Sequence, residues 1–145
     1  MATLWTIGYE RLLPRALVAE LEAAGVQRLI DVRFRPQSRR AGMSKTRLAE
    51  LLADHDIAYE HRRALGTPSG IRWFYKNRQV PAGAVAFRTY IEAESADALD
   101  DLAAELPSGP RTALLCLEAE PHDCHRTIVA ERLRARVPGL RVVDL

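Results

Sequence analysis

Apolar residues recur along this chain in short blocks whose spacing alternates between that of a strand and that of a helix. Five short runs are continuously apolar or alternate in polarity, which is typical of buried strands. Between them, apolar residues return every three or four positions, as on one face of an amphipathic helix. The predicted strands are 3–7, 26–32, 57–61, 111–117 and 140–143. The predicted helices are 12–24, 45–54, 84–106 (broken near Ser95) and 124–136.

This order of elements predicts an α/β fold, a three-layer sandwich with a mainly parallel five-stranded sheet, Rossmann-like in plan. Strand 111–117 is the most apolar, so we expect it at the centre of the sheet. Residues 62–83 contain several glycines and prolines, which predicts a long loop with one short helical turn, of the kind that forms binding loops. The length of 145 residues predicts a single α/β domain over 1–145.

Composition excludes several classes of protein. With 48% hydrophobic and 28% charged residues the chain is neither disordered nor fibrous. Its longest apolar runs are too short to span a bilayer, and no secretory signal precedes residue 3, so we expect no membrane contact. Two cysteines make no disulfide framework, which favours free thiols in a reducing cytoplasm.

The charges are unevenly distributed, although the net charge is only +2. Residues 28–47 hold seven basic residues and one acid, whereas residues 92–105 hold six acids and no base. A basic patch of this kind predicts contact with phosphate or nucleic acid. The alternative is an ordinary solvated surface, because 19 of the 21 cations are arginine, as a genome-wide codon bias would produce.

Residues capable of chemistry follow the predicted strands at their carboxyl ends, where ligands bind in open α/β sheets. Gly8 follows the first strand, Asp31 and Arg33 end the second, and Cys116 and Glu118 end the fourth. The two acids are candidate general bases, although each also suits an ion pair with an arginine. The sequence therefore predicts that one edge of the sheet carries the site.

Two cysteines and a histidine suggest thiol or anion chemistry. If Asp123 caps a helix, Cys124, His125 and Arg126 lie in its first turn, where free N–H groups and the dipole favour anions and lower the pKa of a thiol. Cys124 is then a nucleophile or redox thiol; alternatively it and Cys116 are buried small apolar residues. Adjacent residues do not easily point at one ion and the spacing matches no closed zinc pattern, so we predict no metal ligand and no cofactor.

An aromatic cluster lies within the predicted loop. Trp73, Phe74 and Tyr75 are flanked by Arg72 and Lys76, a mixture suited to stacking on a base beside phosphates. The alternative is a hydrophobic plug that closes the loop.

Several spaced motifs together resemble the bacterial and archaeal domain of unknown function 488. They are TIGYE at 6–10, DVR at 31–33, PQSRR at 36–40, GMSK at 42–45, LG at 65–66, CLE at 116–118 and CHR at 124–126. The chain departs from the family at Arg63-Ala64, where members usually have an acid before the Leu-Gly pair. The resemblance implies an α/β fold and a site lined by these motifs, and it implies no particular reaction.

We therefore predict an enzyme that acts on a phosphate-bearing substrate, a nucleotide or nucleic acid, at the carboxyl edge of the sheet. The alternatives are a non-catalytic nucleic-acid-binding module, and a thiol redox or metal protein that uses Cys116, Cys124 and His125. The oligomeric state stays open. The predicted catalytic residues are Asp31, Glu118 and Cys124. The predicted substrate- or anion-binding residues are Gly8, Tyr9, Arg33, Arg35, Arg39, Arg40, Cys116, His125 and Arg126.

Overall fold

Five parallel strands form the sheet in the order β3-β2-β4-β1-β5 in a computed structural model that describes residues 2–145. The strands are β1 (Thr3–Gly8), β2 (Arg28–Asp31), β3 (Ala58–His61), β4 (Thr112–Cys116) and β5 (Arg141–Asp144). The helices are α1 (Pro14–Ala23), α2 (Lys45–Ala53), α3 (Ser69–Lys76), α4 (Val80–Glu94), α5 (Ala96–Glu105) and α6 (Arg126–Arg136). The predicted α/β fold and its central strand are confirmed, and the architecture is compatible with the Rossmann-like description.

Two hydrophobic cores flank the sheet because successive side chains of a strand point to opposite faces. In β4, Leu114 and Cys116 pack with α4, α5 and α6, whereas Ala113 and Leu115 pack with α1 and α2. All five residues of this strand are buried, as expected for the centre of a parallel sheet. Among residues 2–145, none of the helices has the length and apolarity that crossing a bilayer requires.

The segment predicted as a long loop is largely helical, so this part of the sequence prediction is wrong. A 3-10 turn covers Arg63–Leu65, α3 follows it, and α4 begins at Val80, before the predicted start at residue 84. The prolines of this segment lie at helix starts, where they do not interrupt the hydrogen bonds of the helix. Pro68 immediately precedes α3, and Pro81 lies in the first turn of α4, where a missing N–H costs no hydrogen bond.

Candidate functional site

The carboxyl ends of three strands lie at the same level of the sheet. Gly8 pairs with Cys116 in register, and Asp31 pairs with Leu115. Alternate side chains along each strand point to opposite faces of the sheet. Asp31 and Arg33 contact Tyr9 and Tyr59, whereas Cys116 packs in the opposite core with His125 and Cys124. The residues predicted at one edge of the sheet therefore form two clusters, on opposite faces of that edge.

Asp31 forms a buried ion pair with Arg33. The guanidinium donates from Nε to Oδ1 at 2.9 Å and from Nη2 to Oδ2 at 2.7 Å. The backbone N–H of Arg33 also donates to Oδ1 at 3.0 Å, and the hydroxyl of Tyr59 donates to Oδ2. Because both carboxylate oxygens are occupied and Asp31 is fully buried, its observed role is to orient Arg33.

A cavity of about 570 Å³ opens beside this ion pair. Its wall comes from the loop after β2, from α3 with the turn before it, and from the ends of β1 and β4. Among the described residues, the lining holds five cations and no carboxylate. The cations are Arg33, Arg35, Arg39, Arg72 and Lys76, and the other lining residues are Tyr9, Phe34, Gln37, Thr67, Ser69, Trp73 and Leu117. The cavity is therefore strongly electropositive.

One face of α3 supplies a third of this wall. Ser69, Arg72, Trp73 and Lys76 follow the helical spacing i, i+3, i+4, i+7, and all four line the cavity. The indole of Trp73 is 51% exposed. The aromatic and basic residues here are among those predicted from the sequence, whereas Ser69 and Thr67 are not. The helical spacing of Ser69 with Arg72, Trp73 and Lys76 is the signal that groups it with them once the segment is known to be a helix.

Thr67 has an unusual environment for a polar side chain. It is 1% exposed, and its hydroxyl has no hydrogen-bond partner among the described residues. The neighbouring Gly66 allows the backbone to approach the loop after β2, since a Cβ there would lie 2.6 Å from the N and Cα of Phe34. This close approach puts an unpaired hydroxyl in the wall of a basic cavity.

The predicted basic surface is only partly available to a ligand. Arg35 and Arg39 are exposed and line the cavity. Arg40 instead donates to the carbonyl oxygens of Tyr9 at 2.6 Å and Leu12 at 2.7 Å, so that it fastens the loop after β1.

The second cluster lies on the other face of the sheet edge and is buried. Nε2 of His125 lies 2.8 Å from the carbonyl oxygen of Val32, which can only accept, so Nε2 carries the proton. The free Nδ1 then faces Cys116 Sγ at 3.4 Å and Cys124 Sγ at 3.8 Å. Cys116 Sγ also lies 3.5 Å from Glu118 Oε2.

The sequence prediction that Asp123 caps a helix with Cys124 in its first turn is wrong. Helix α6 begins at Arg126 with His125 as its N-cap, while Asp123 belongs to a preceding 3-10 turn and makes no capping bond. Cys124 has extended backbone and lies before the helix. Its side chain is 2% exposed, and burial raises the pKa of the thiol well above its usual value. Burial therefore outweighs any effect of the helix dipole, and a catalytic role for Cys124 stays a prediction.

Two further predicted residues shape the turn after β4. Arg126 is fully buried and donates to the carbonyl oxygens of Glu118 and Ala119. It also donates to Thr6 Oγ1 at 3.1 Å. A Cβ at Gly8 would lie 1.7 Å from the oxygen of Glu118, so only glycine fits there. Both residues position the 118–119 turn, and neither lines the cavity.

The model of the family described as "Domain of unknown function DUF488" matches residues 13–133. The chain belongs to this family. The match covers the buried ion pair, α3 and the cysteine–histidine cluster, which confirms the resemblance found in the motifs. No curated protein and no solved structure matches the chain. For this DUF488 protein, the function must therefore be argued from the site itself.

Proposed function

We propose that this DUF488 protein binds a phosphate-bearing ligand, a nucleotide or nucleic acid, in the basic cavity. The carrying observation is that five cations converge there and that four of them, Arg35, Arg39, Arg72 and Lys76, form no ion pair among the described residues, whereas Arg33 is paired with Asp31. Elsewhere in the described chain, arginines such as Arg28, Arg62 and Arg136 form ion pairs with glutamates. Arginine is well suited to phosphate because its planar fork donates two hydrogen bonds at once. Cations without acidic partners favour an anionic ligand.

The neutral lining residues favour a nucleotide over free phosphate. The exposed hydroxyl of Ser69 is a donor for phosphate oxygens, and the exposed indole of Trp73 offers a surface for a base to stack on. A cavity of about 570 Å³ falls within the range of small-molecule sites. Both cysteines are free, which supports the proposal of a cytoplasmic protein.

Binding is better supported than catalysis. None of the three predicted catalytic residues, Asp31, Glu118 and Cys124, lines the cavity. Asp31 is saturated with hydrogen bonds and Cys124 is buried, so neither presents a reactive atom to a ligand in the cavity. The enzyme prediction stays a prediction, and the geometry favours the binding module.

The intrinsic fluorescence of Trp73 gives a direct assay. We expect quenching when a mononucleotide or a short single-stranded oligonucleotide is titrated at low salt, and no quenching in Trp73→Phe, whose remaining fluorescence comes from Trp5 outside the cavity lining. The double variant Arg39→Ala/Arg72→Ala should bind ~100-fold more weakly or worse, since two charge-assisted hydrogen bonds of roughly 1.5–3 kcal/mol each are lost. Arg134→Ala is the matched control, because Arg134 is exposed on α6, away from the cavity lining.

Salt dependence separates the two ligand classes. Binding of an oligonucleotide should weaken steeply and linearly in log–log form as salt rises, with a smaller slope for a mononucleotide. The proposal fails if the double cavity variant and Arg134→Ala bind both ligands with equal affinity at low salt.

A further inference from the structure

We infer that Cys116, Cys124 and His125 form a binding site for a thiophilic divalent metal ion such as Zn²⁺. The two sulfurs and one imidazole nitrogen lie within 4.8 Å of one another. They come from the end of β4 and from the two residues just before α6, eight and nine positions later in the chain. This inference does not depend on the anion cavity, because none of the three residues lines it.

The distances fit a shared tetrahedral ion. Zinc bonds of about 2.3 Å to sulfur and about 2.0–2.1 Å to nitrogen hold a sulfur and a nitrogen roughly 3.6 Å apart. The observed separations from His125 Nδ1 are 3.4 Å to Cys116 Sγ and 3.8 Å to Cys124 Sγ. One ion would bond all three atoms at once, whereas the single lone pair of Nδ1 accepts a hydrogen bond from one thiol at a time.

The histidine is already oriented as a ligand. Metal-binding imidazoles almost always donate their second N–H to a carboxylate, a carbonyl or water, which fixes the ring and its tautomer. His125 does this through its bond to the carbonyl oxygen of Val32 at 2.8 Å. The edge of its ring also packs against Phe87, with centroids 5.3 Å apart. The Nδ1 lone pair is therefore held toward the sulfurs.

The local backbone explains how adjacent residues share one target. Cys124 is extended, at φ −128° and ψ 145°, and His125 is helical, at φ −63° and ψ −18°. This change of conformation brings both side chains onto Cys116, which corrects the expectation that neighbours do not point at one ion. The chemistry is also balanced, since two thiolates neutralise a divalent cation in a buried site.

A carboxylate lies next to the cluster. Glu118 Oε2 is 3.5 Å from Cys116 Sγ, but no carboxylate of residues 2–145 belongs to the group of donor atoms that lie within 4.8 Å of one another. The hydroxyl of Tyr75 is buried without a hydrogen-bond partner among the described residues. We therefore assign three protein ligands to the site, and Glu118 is their neighbour.

The test adds Co²⁺ and then Zn²⁺ to the reduced, chelator-treated full chain. We expect one Co²⁺ per chain, a near-ultraviolet thiolate-to-cobalt charge-transfer band, intense visible bands of a tetrahedral ion, and displacement by Zn²⁺. Cys116→Ser, Cys124→Ser and His125→Asn should each lower affinity by more than the ~10–100-fold that loss of an outer-shell partner costs. Glu118→Gln should have the smallest effect. His122→Asn is the matched control, because His122 is exposed and lies outside the cluster.

A measurement on the unmutated chain guards against variants that fail to fold. Zn²⁺ binding should release protons from the two thiols, about two per ion in a weakly buffered solution at neutral pH, because only thiolates bind the metal. The inference is overturned if wild-type protein gives no cobalt–thiolate band, if zinc binds without releasing protons, or if folded cysteine variants keep wild-type affinity. Nucleotide binding is measured separately, so either proposal can fail without the other.

Discussion

Replacing Thr67 by Val removes one buried hydroxyl and nearly preserves the shape of the side chain. Thr67 is 1% exposed, and within residues 2–145 its hydroxyl has no hydrogen-bond partner. A buried, unpaired hydroxyl costs roughly 1–3 kcal/mol in mutational data. We therefore expect Thr67→Val to raise the free energy of unfolding by about 1 kcal/mol, which is roughly 2–4 °C in Tm for a domain near this size. Most substitutions of buried residues have the opposite sign.

The same change should weaken ligand binding. On the proposed function, the hydroxyl of Thr67, which is buried in the free protein, turns toward the cavity and donates to a phosphate oxygen, and a hydrogen bond to a charged group contributes roughly 1.5–3 kcal/mol. Affinity should fall by ~10–100-fold, since each 1.4 kcal/mol corresponds to a factor of ten. A variant that is more stable but binds less tightly is the signature of a polar group reserved for a ligand.

Thermal unfolding and the Trp73 fluorescence titration measure the two effects on one sample. Thr112→Val is the matched control, because Thr112 is also buried but its hydroxyl donates to Pro110 O at 2.9 Å and accepts from Arg28 Nε at 3.1 Å. That control should lose stability. If Thr67→Val loses stability to a similar degree, or leaves nucleotide affinity unchanged, the hydroxyl is satisfied in the free protein and the reasoning fails.

Three further outcomes follow from the charges and thiols. Asp31→Asn should lower the free energy of unfolding by about 3–5 kcal/mol, because it leaves Arg33 buried and unpaired. Glu131→Gln, which removes an exposed ion pair, should lower it by less than about 1 kcal/mol. Equal losses for the two variants in denaturant melts would contradict this. Hydrogen bonds from Arg62 lower the pKa of Glu105 from 4.5 to about 2. The stability that Glu105 contributes is therefore present above pH 4.5 and is lost as pH falls toward 2. Glu105→Gln should reduce the fall of Tm between these pH values, and an unchanged fall would refute the assignment. Both cysteines should resist alkylation until the chain unfolds, because both are buried; rapid labelling of the native protein at pH 8, located by peptide mapping, would overturn this.

Much of the architecture was determined by the sequence itself. Hydrophobic periodicity is a local property, so it predicted all five strands, and the most apolar of them is indeed the central β4. The motifs at the strand ends likewise identified the family and the edge of the sheet that carries the candidate sites. Local signals were misleading over residues 62–83, because glycine and proline interrupt a helix only in its interior, and here they lie at helix starts.

The roles of the charged and reactive side chains were decided by the tertiary structure. The sequence alone predicts the same role for Arg33, Arg40 and Arg126, which is to bind a substrate or anion. In the fold, Arg33 pairs with Asp31, Arg40 holds the loop after β1, and Arg126 holds the turn after β4. Asp31 and Cys116 lie on opposite faces of the sheet because alternate side chains of a strand point in opposite directions. Burial, and not a position at a helix start, raises the pKa of the Cys124 thiol. The spacing of apolar residues is a local property of the sequence. The partners of a side chain and its exposure to water depend on residues that only folding brings into contact.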